Sequence, residues 1–264
     1  MSTEKTPVLE MHNVEKHFGG VRAIDNFSLK LEPGQIHGLI GPNGAGKTTI
    51  FNNITGIYAP SAGKIIFDGQ DITGMPPYKV AQLGIGRTFQ NIRLFSNLSV
   101  MDNVIIASNL DATYNMPQAI FMTKKYKERE KFLKEKAMAL LEDVGLQDKV
   151  NEKASSLPYG HQRKLEIARA MALDPKLLLL DEPAAGMNTE ESLDLVDFVR
   201  EIREKYDITI LMIEHHMDVV SNLCDYCTVL NFGKTIAGGT AAEVKSNPDV
   251  IKANLGGMDC WLQY

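Results

Sequence analysis

The sequence predicts an α/β fold, and three short apolar runs carry that prediction. Ile36 to Ile40 leads into the glycine-rich stretch Gly41-Pro42-Asn43-Gly44-Ala45-Gly46-Lys47-Thr48, after which Thr49 to Ile54 reads as a helix. Leu177 to Leu180 ends in Asp181-Glu182-Pro183, and Ile208 to Ile213 ends in Glu214-His215-His216. Apolar runs this short, bounded by turn residues, read as buried strands. Helical patterns lie between them, as a buried sheet with crossover helices requires.

The glycine stretch fits G-x-x-x-x-G-K-[ST] in the strand–loop–helix context that makes it a phosphate site. Glycines let the backbone fold into a nest of N–H donors with no Cβ in the way. The helix that follows aims its N-terminus at the same point. Lys47 would reach the β- and γ-phosphates, and the Thr48 hydroxyl would ligate Mg²⁺. Gly41 to Thr48, with Thr49 behind them, are the candidate residues for binding a nucleoside triphosphate.

A chain of 264 residues with 44% hydrophobic and 23% charged residues is an ordinary globular composition. Its net charge of −5 supplies no basic field for nucleic acid. No apolar run reaches membrane-span length, and residues 1–7 lack the apolar core of a signal peptide. Three cysteines make no disulfide framework. Cys224-x-x-Cys227 has no second pair, so packing where a helix meets a strand is expected.

In chain order, Val8 to Val14 reads as a strand and Phe18-Gly19-Gly20 as a turn. Ala23 to Leu31 alternates at period two, a half-buried antiparallel strand. Pro33-Gly34 turns into the Ile36 strand, so an antiparallel β layer precedes the loop. Pro60 to Gly63 is a turn, and Lys64 to Phe67 a strand closed by a hairpin at Asp68-Gly69. Phe18 lies where an aromatic ring could stack on a base, or could pack as a core aromatic at a strand end. A short helix from Pro76-Pro77 ends near Gly84, and Gly86 to Gln90 reads as a strand. Asn91 to Ser99 is a loop with apolar Ile92, Leu94, Phe95 and Leu98, which suggests a binding surface. Val100 to Leu110 looks helical, 111–123 has no clear period, and Lys124 to Val144 is amphipathic. Asn151 to Pro158 reads as a polar linker before a helix from Gly160 to about Leu173, stopped by Asp174-Pro175. Asn188 with Glu191 is a capping box for a helix through Glu204. A helix to Cys224, a strand Thr228 to Asn231, a turn at Gly233 and a strand to Ala237 follow. Residues 241–264 read as a small helical appendage.

The second chemical element is Asp181-Glu182, at the C-terminal end of a core strand, where α/β sheets place ligands. Asp181 would hold Mg²⁺. Glu182, one residue on, points elsewhere and can polarise water for attack on the γ-phosphate.

Gly41–Thr48, Gln90, Leu157-Pro158-Tyr159-Gly160-His161-Gln162, Leu180-Asp181-Glu182-Pro183 and His215 come in an order that resembles the ATP-binding-cassette (ABC) ATPases. The match runs from Leu9 to about Leu255. The wording of Gly86 to Phe95, Tyr159-Gly160-x-Gln162-Arg163, Glu182 to Asn188 and Ile213-Glu214-His215 is similar to the ATPase subunits of branched-chain amino acid importers.

The resemblance implies a P-loop ATPase with a RecA-like parallel core and an antiparallel β subdomain, about 8–90 and 175–240. It implies a helical subdomain at about 91–172 and the C-terminal appendage at 241–264. Phe18 would stack adenine. Gln90 would sense the γ-phosphate through Mg²⁺ and the attacking water. Glu182 would be the catalytic base, and His215 would hold the γ-phosphate, with His216 beside it structural. The Gln90–Leu98 region would meet a membrane permease on the cytoplasmic face of the membrane. Two ATPase subunits, identical or sister chains, would pair head to tail, each ATP lying between one chain's loop and the other's Tyr159, Gly160, His161 and Gln162. An extracytoplasmic amino acid binding protein would deliver substrate.

At that trans element the chain departs from Leu-Ser-Gly-Gly-Gln. The serine hydroxyl is missing and Pro158 offers no N–H, so anion binding there is expected to be weakened but kept. Other classes fit less well. Lys47 and Asp181 lie 134 positions apart with no sustained heptads, against the coiled-coil chromosome ATPases. A translation-factor relative would carry two cassettes, and a GTPase would carry an Asn-Lys-x-Asp motif. ATPases of urea, short-amide or lipopolysaccharide transport are the nearest alternatives.

Overall fold

The computed structural model describes residues 6–108 and 116–255. The chain forms two units, one built from residues up to Ile85 and from Lys176 onward, the other from Gly86–Pro175.

In the first unit, β1 (Leu9–Phe18) and β2 (Val21–Leu31) pair antiparallel, with bulges along β1 that bend it beyond the expected end at Val14. β3 (Ile36–Ile40) is buried at every position, as a strand covered on both faces must be. α1 (Lys47–Ile54) starts directly from the loop, two residues before the expected Thr49. β4 (Ala62–Phe67) turns at Asp68-Gly69 into β5 (Gln70–Asp71). Both turn residues have positive φ (48° and 77°), the two-residue hairpin geometry the sequence signals. α2 (Pro77–Gln82) and β6 (Ile85–Arg87) follow.

The expected strand Gly86–Gln90 is therefore corrected. It ends at Arg87, because Phe89 N–H donates to Glu166 and the Phe89 and Gln90 carbonyls accept from Arg163, both in the helix starting at Tyr159, instead of joining a ladder.

The second unit is helical: α3 (Val100–Ala107), α4 (Met116–Ile120), α5 (Lys124–Asp143) and α6 (Tyr159–Met171). Ser99 caps α3 by accepting the Asp102 N–H. The expected end of α3 at Leu110 is shortened to Ala107, and 109–115 lie outside the described residues. The expected linker before α6 contains a 3₁₀ turn, Ala154–Ser156. Val100, Val104, Leu133, Ala137, Leu140, Leu141, Leu165 and Ala168 are buried among these helices.

Back in the first unit come β7 (Leu177–Asp181), α7 (Thr189–Tyr206), β8 (Thr209–Ile213), α8 (Met217–Leu223), β9 (Tyr226–Asn231) and β10 (Lys234–Gly239). The Asn188–Glu191 capping box of α7 is made in both directions. The tail carries α9 (Ala241–Ser246) and α10 (Pro248–Leu255), and 256–264 lie outside the described residues.

One sheet has the order β2-β1-β4-β5, the other β10-β9-β3-β8-β7-β6, with β6 at the edge where the chain crosses between units. β3 runs parallel to both β8 and β9, and β7 parallel to β8. One core joins the two sheets and α1: Leu9, Phe27, Leu31, Ile50, Phe51, Phe67, Leu179, Leu211 and Ile213 all belong to it. Each such side chain contributes about 1.5–3 kcal/mol by leaving water. The parallel β7, β3 and β8 thus end together, delivering the phosphate loop, Asp181-Glu182 and Glu214-His215 to one edge of the sheet. Cys224 closes α8 and Cys227 sits in β9, helix against strand as expected; a Cβ on Gly38 would lie 3.0 and 3.2 Å from their sulfurs.

Candidate nucleotide site

The loop between β3 and α1 is built so that glycine is required at both ends. Gly41 has φ 147°, and a Cβ there would stand 2.1 Å from the Leu230 carbonyl oxygen. Gly46 has φ 106°, and its Cβ would stand 2.6 Å from the Ala23 oxygen. Gly44 differs: φ is 79°, but nothing lies within 4 Å of its Cβ position. The first two glycines seat the loop on β9 and β2, and the third leaves open space over the nest. Ala45 N–H donates to the Pro42 carbonyl at 3.1 Å, and Gly233 N–H to that of Ala45 at 2.9 Å. Thr48 and Thr49 lie in the first turn of α1.

Lys47 is buried, and its ammonium donates to the carbonyls of Gly41 (2.6 Å) and Pro42 (3.0 Å). Burial holds its pKa below the ordinary value, while the charges of Glu182 and then Asp181 pull it back up. Phosphate oxygens would meet both this ammonium and the loop N–H groups.

Asp181 ends β7 and is 3% exposed. Glu182 follows with φ 46°, a left-handed backbone that costs about 1–3 kcal/mol at a non-glycine residue. Its N–H is tied to the Ile213 carbonyl at 2.9 Å. The Glu182 carboxylate lies 3.8 Å from His215 Nδ1.

One residue given no role by the sequence organises this end of the sheet. Glu214 is fully buried, and its carboxylate accepts from Ala184 N–H (3.0 Å), His215 N–H (2.9 Å), His216 N–H (3.2 Å) and His216 Nδ1 (3.1 Å). Burial pushes the Glu214 carboxyl up, but the His216 hydrogen bond and then the backbone donors outweigh it and hold it below the ordinary value. The same bond raises the His216 imidazole above its own. Glu214 therefore anchors the backbone of His215 and the turn after Glu182 together. In the sequence it shows only as a glutamate directly after the apolar Ile208 to Ile213 run and before two histidines.

Phe18 is 42% exposed at the end of β1, so it is no core aromatic. Tyr58 meets it edge-to-face at 5.1 Å, and the Lys16 ammonium lies 5.0 Å from its ring centre. Neither neighbour was foreseen.

Gln90 and Tyr159–Gln162 lie in the other unit. Pro158 is the N-cap of α6 and gives no side-chain cap bond, and Gly160 has nothing within 4 Å of a Cβ position. The Gln162 amide donates to the Leu157 carbonyl at 2.8 Å. Phe95 and Leu98 are exposed, and their loop is braced by buried Asn103, whose amide accepts from Phe95 N–H (2.9 Å) and donates to its carbonyl (3.1 Å).

A family model described as ABC transporter matches residues 24–185. The chain is 43% identical to the high-affinity branched-chain amino acid transport ATP-binding protein BraF of Pseudomonas aeruginosa over 95% of this chain and 98% of that one. It is 41% identical to LivG of Escherichia coli K12, which carries the same description, over the same shares. Among solved structures, an ATP-binding cassette of an ABC transporter in its ADP conformation superposes with a TM-score of 0.83 at 32% identity, covering 95% of this chain and 99% of that one.

Proposed function

The chain belongs to the ABC transporter family of ATPase subunits, and on that premise we propose that it energises an importer of branched-chain amino acids. In this reading membrane permease subunits supply the pathway; among the described residues of this chain no helix is long and apolar enough to cross a membrane. The observation that carries the catalytic reading is the convergence of Lys47, at the start of α1, with Asp181, Glu182 and His215 at and just beyond the ends of β7 and β8, the Glu182 and Asp181 charges acting on the Lys47 ammonium.

In this reading the Gly41–Thr49 segment grips the phosphates of ATP and Phe18 stacks on adenine. Thr48 and Asp181 would hold Mg²⁺, which would neutralise charge developing on the phosphates. A buried carboxylate at a strand end and a helix-start hydroxyl are hard oxygen donors of the kind that suit that ion. Glu182 takes the proton of the attacking water, and His215, fixed through Glu214, steadies the γ-phosphate. Tyr159–Gln162 serve the ATP of a second ATPase subunit. The Gln90–Leu98 segment meets the permease at the cytoplasmic face, and an extracytoplasmic binding protein presents the amino acid.

The test is uptake by the assembled transporter of radiolabelled leucine, isoleucine and valine, with urea as the rival. ATP-dependent accumulation of the three amino acids, lost with Glu182→Gln, is expected. Accumulation of urea alone would overturn the substrate reading.

A further inference from the structure

The segment around Gln90 is held in place by buried charge. Arg163 is 0% exposed and Glu166 4%, and they pair at 2.9 Å within α6. One guanidinium nitrogen donates to the Phe89 carbonyl at 2.8 Å, and the other to the Gln90 carbonyl at 3.0 Å. The second Glu166 oxygen accepts the N–H groups of Phe89 (3.3 Å) and Arg93 (3.2 Å). The main chain on both sides of Gln90 is thereby bound to α6, and the same guanidinium reaches the Tyr159 hydroxyl at 3.3 Å in its first turn. A buried ion pair is a poor device for stability alone, since an apolar replacement of similar volume is often neutral or better. What it supplies is geometry: a planar fork that addresses two successive carbonyls, which a lysine cannot copy.

We propose that Arg163 and Glu166 are positioning residues, a clasp that makes the Gln90 segment and the Tyr159–Gln162 helix start one rigid element. Displacement imposed on the permease-facing loop is then delivered to the trans ATP contact, and the reverse. The proposal rests on the roles given above to Gln90 and to the helix start.

The test compares Arg163→Lys, Glu166→Gln and the apolar pair Arg163→Met with Glu166→Leu in the full-length chain, assembled with its permease. The first readout is hydrogen exchange of the Phe89 and Arg93 amides. In the apolar pair they should exchange about tenfold faster or more while the amides of α5 keep their protection. The second is MgATP turnover: kcat should fall about tenfold with KM moved less than about threefold, since ångström-scale misplacement costs up to about a hundredfold. Glu166→Gln, which keeps an acceptor for the two amides, should restore much of the turnover. If the apolar pair fails to fold, Arg163→Lys carries the same readouts, with Glu166→Gln as the conservative control. Unchanged amide exchange overturns the clasp, and so does faster exchange with wild-type turnover. Gln90→Ala separates the premise: normal turnover there, with slowed turnover in the clasp variants, removes the Gln90 role and leaves the clasp standing.

Discussion

Glu214→Ala should be among the most damaging single substitutions outside the phosphate loop. The side chain is fully buried and accepts four hydrogen bonds, three from backbone N–H groups of Ala184, His215 and His216 and one from His216 Nδ1. Bonds to a charged acceptor contribute about 1.5–3 kcal/mol each, though four on one group do not add. Truncation leaves three backbone donors unpaired, at about 1–3 kcal/mol each before non-additivity, beside a half-exposed histidine that loses its counter-charge, so a total of about 3–5 kcal/mol is expected. That is a large share of the ~5–15 kcal/mol that holds a domain folded. In urea, with an m-value of about 3 kcal/mol per M, the midpoint should fall by about 1 M or more. Glu214→Gln keeps a carbonyl acceptor and should lose roughly 1–3 kcal/mol. Circular dichroism melts of the three proteins measure this directly. A loss below about 1 kcal/mol for Glu214→Ala, or equal losses for Ala and Gln, would refute the view of Glu214 as a hydrogen-bonded anchor.

Other outcomes follow from the same geometry. Gly41→Ala drives a Cβ to 2.1 Å from Leu230 O, whereas Gly44→Ala meets nothing within 4 Å; the first should lower the thermal midpoint well beyond the roughly 1–2 kcal/mol backbone cost of the second, and equal melting would contradict the seating of the loop on β9. The His216 imidazole should titrate above its ordinary 6.5 by NMR and drop in Glu214→Gln, where burial acts without the counter-charge; an unmoved titration would count against the pair. Because His216 is raised, its stabilising contribution is full below pH 6.5 and fades as pH climbs through its folded value, while that of lowered Glu214 is full above 4.5 and fades on acidification, so the two act together most strongly between those limits. His161→Gln should strengthen ATP affinity or turnover of the paired ATPase, and no change in either would argue against a weakened trans element.

The sequence alone determined what depends on neighbours in the chain. The phosphate loop is legible because its glycines, lysine and threonine act within one strand–turn–helix. The Asp68-Gly69 hairpin and the Asn188–Glu191 cap were equally plain, being set by φ and by side chains three residues apart. Glu182 could be named because it directly follows a buried strand, whereas His215 was named only through the family resemblance. Tertiary structure decided whatever depends on residues distant in sequence. The strand expected through Gln90 stops at Arg87 because Arg163 and Glu166, more than seventy residues away, take the backbone groups that a ladder would have used. Glu214 looked like one more acidic residue until folding brought Ala184, 30 positions distant, against its carboxylate. Phe18 was ambiguous between core and site until the bent β1 left it half exposed beside Tyr58. Local patterns set the backbone and name reactive groups. Only packing determines which buried charges find partners, because a carboxylate or guanidinium removed from water is tolerable only where the rest of the fold supplies them.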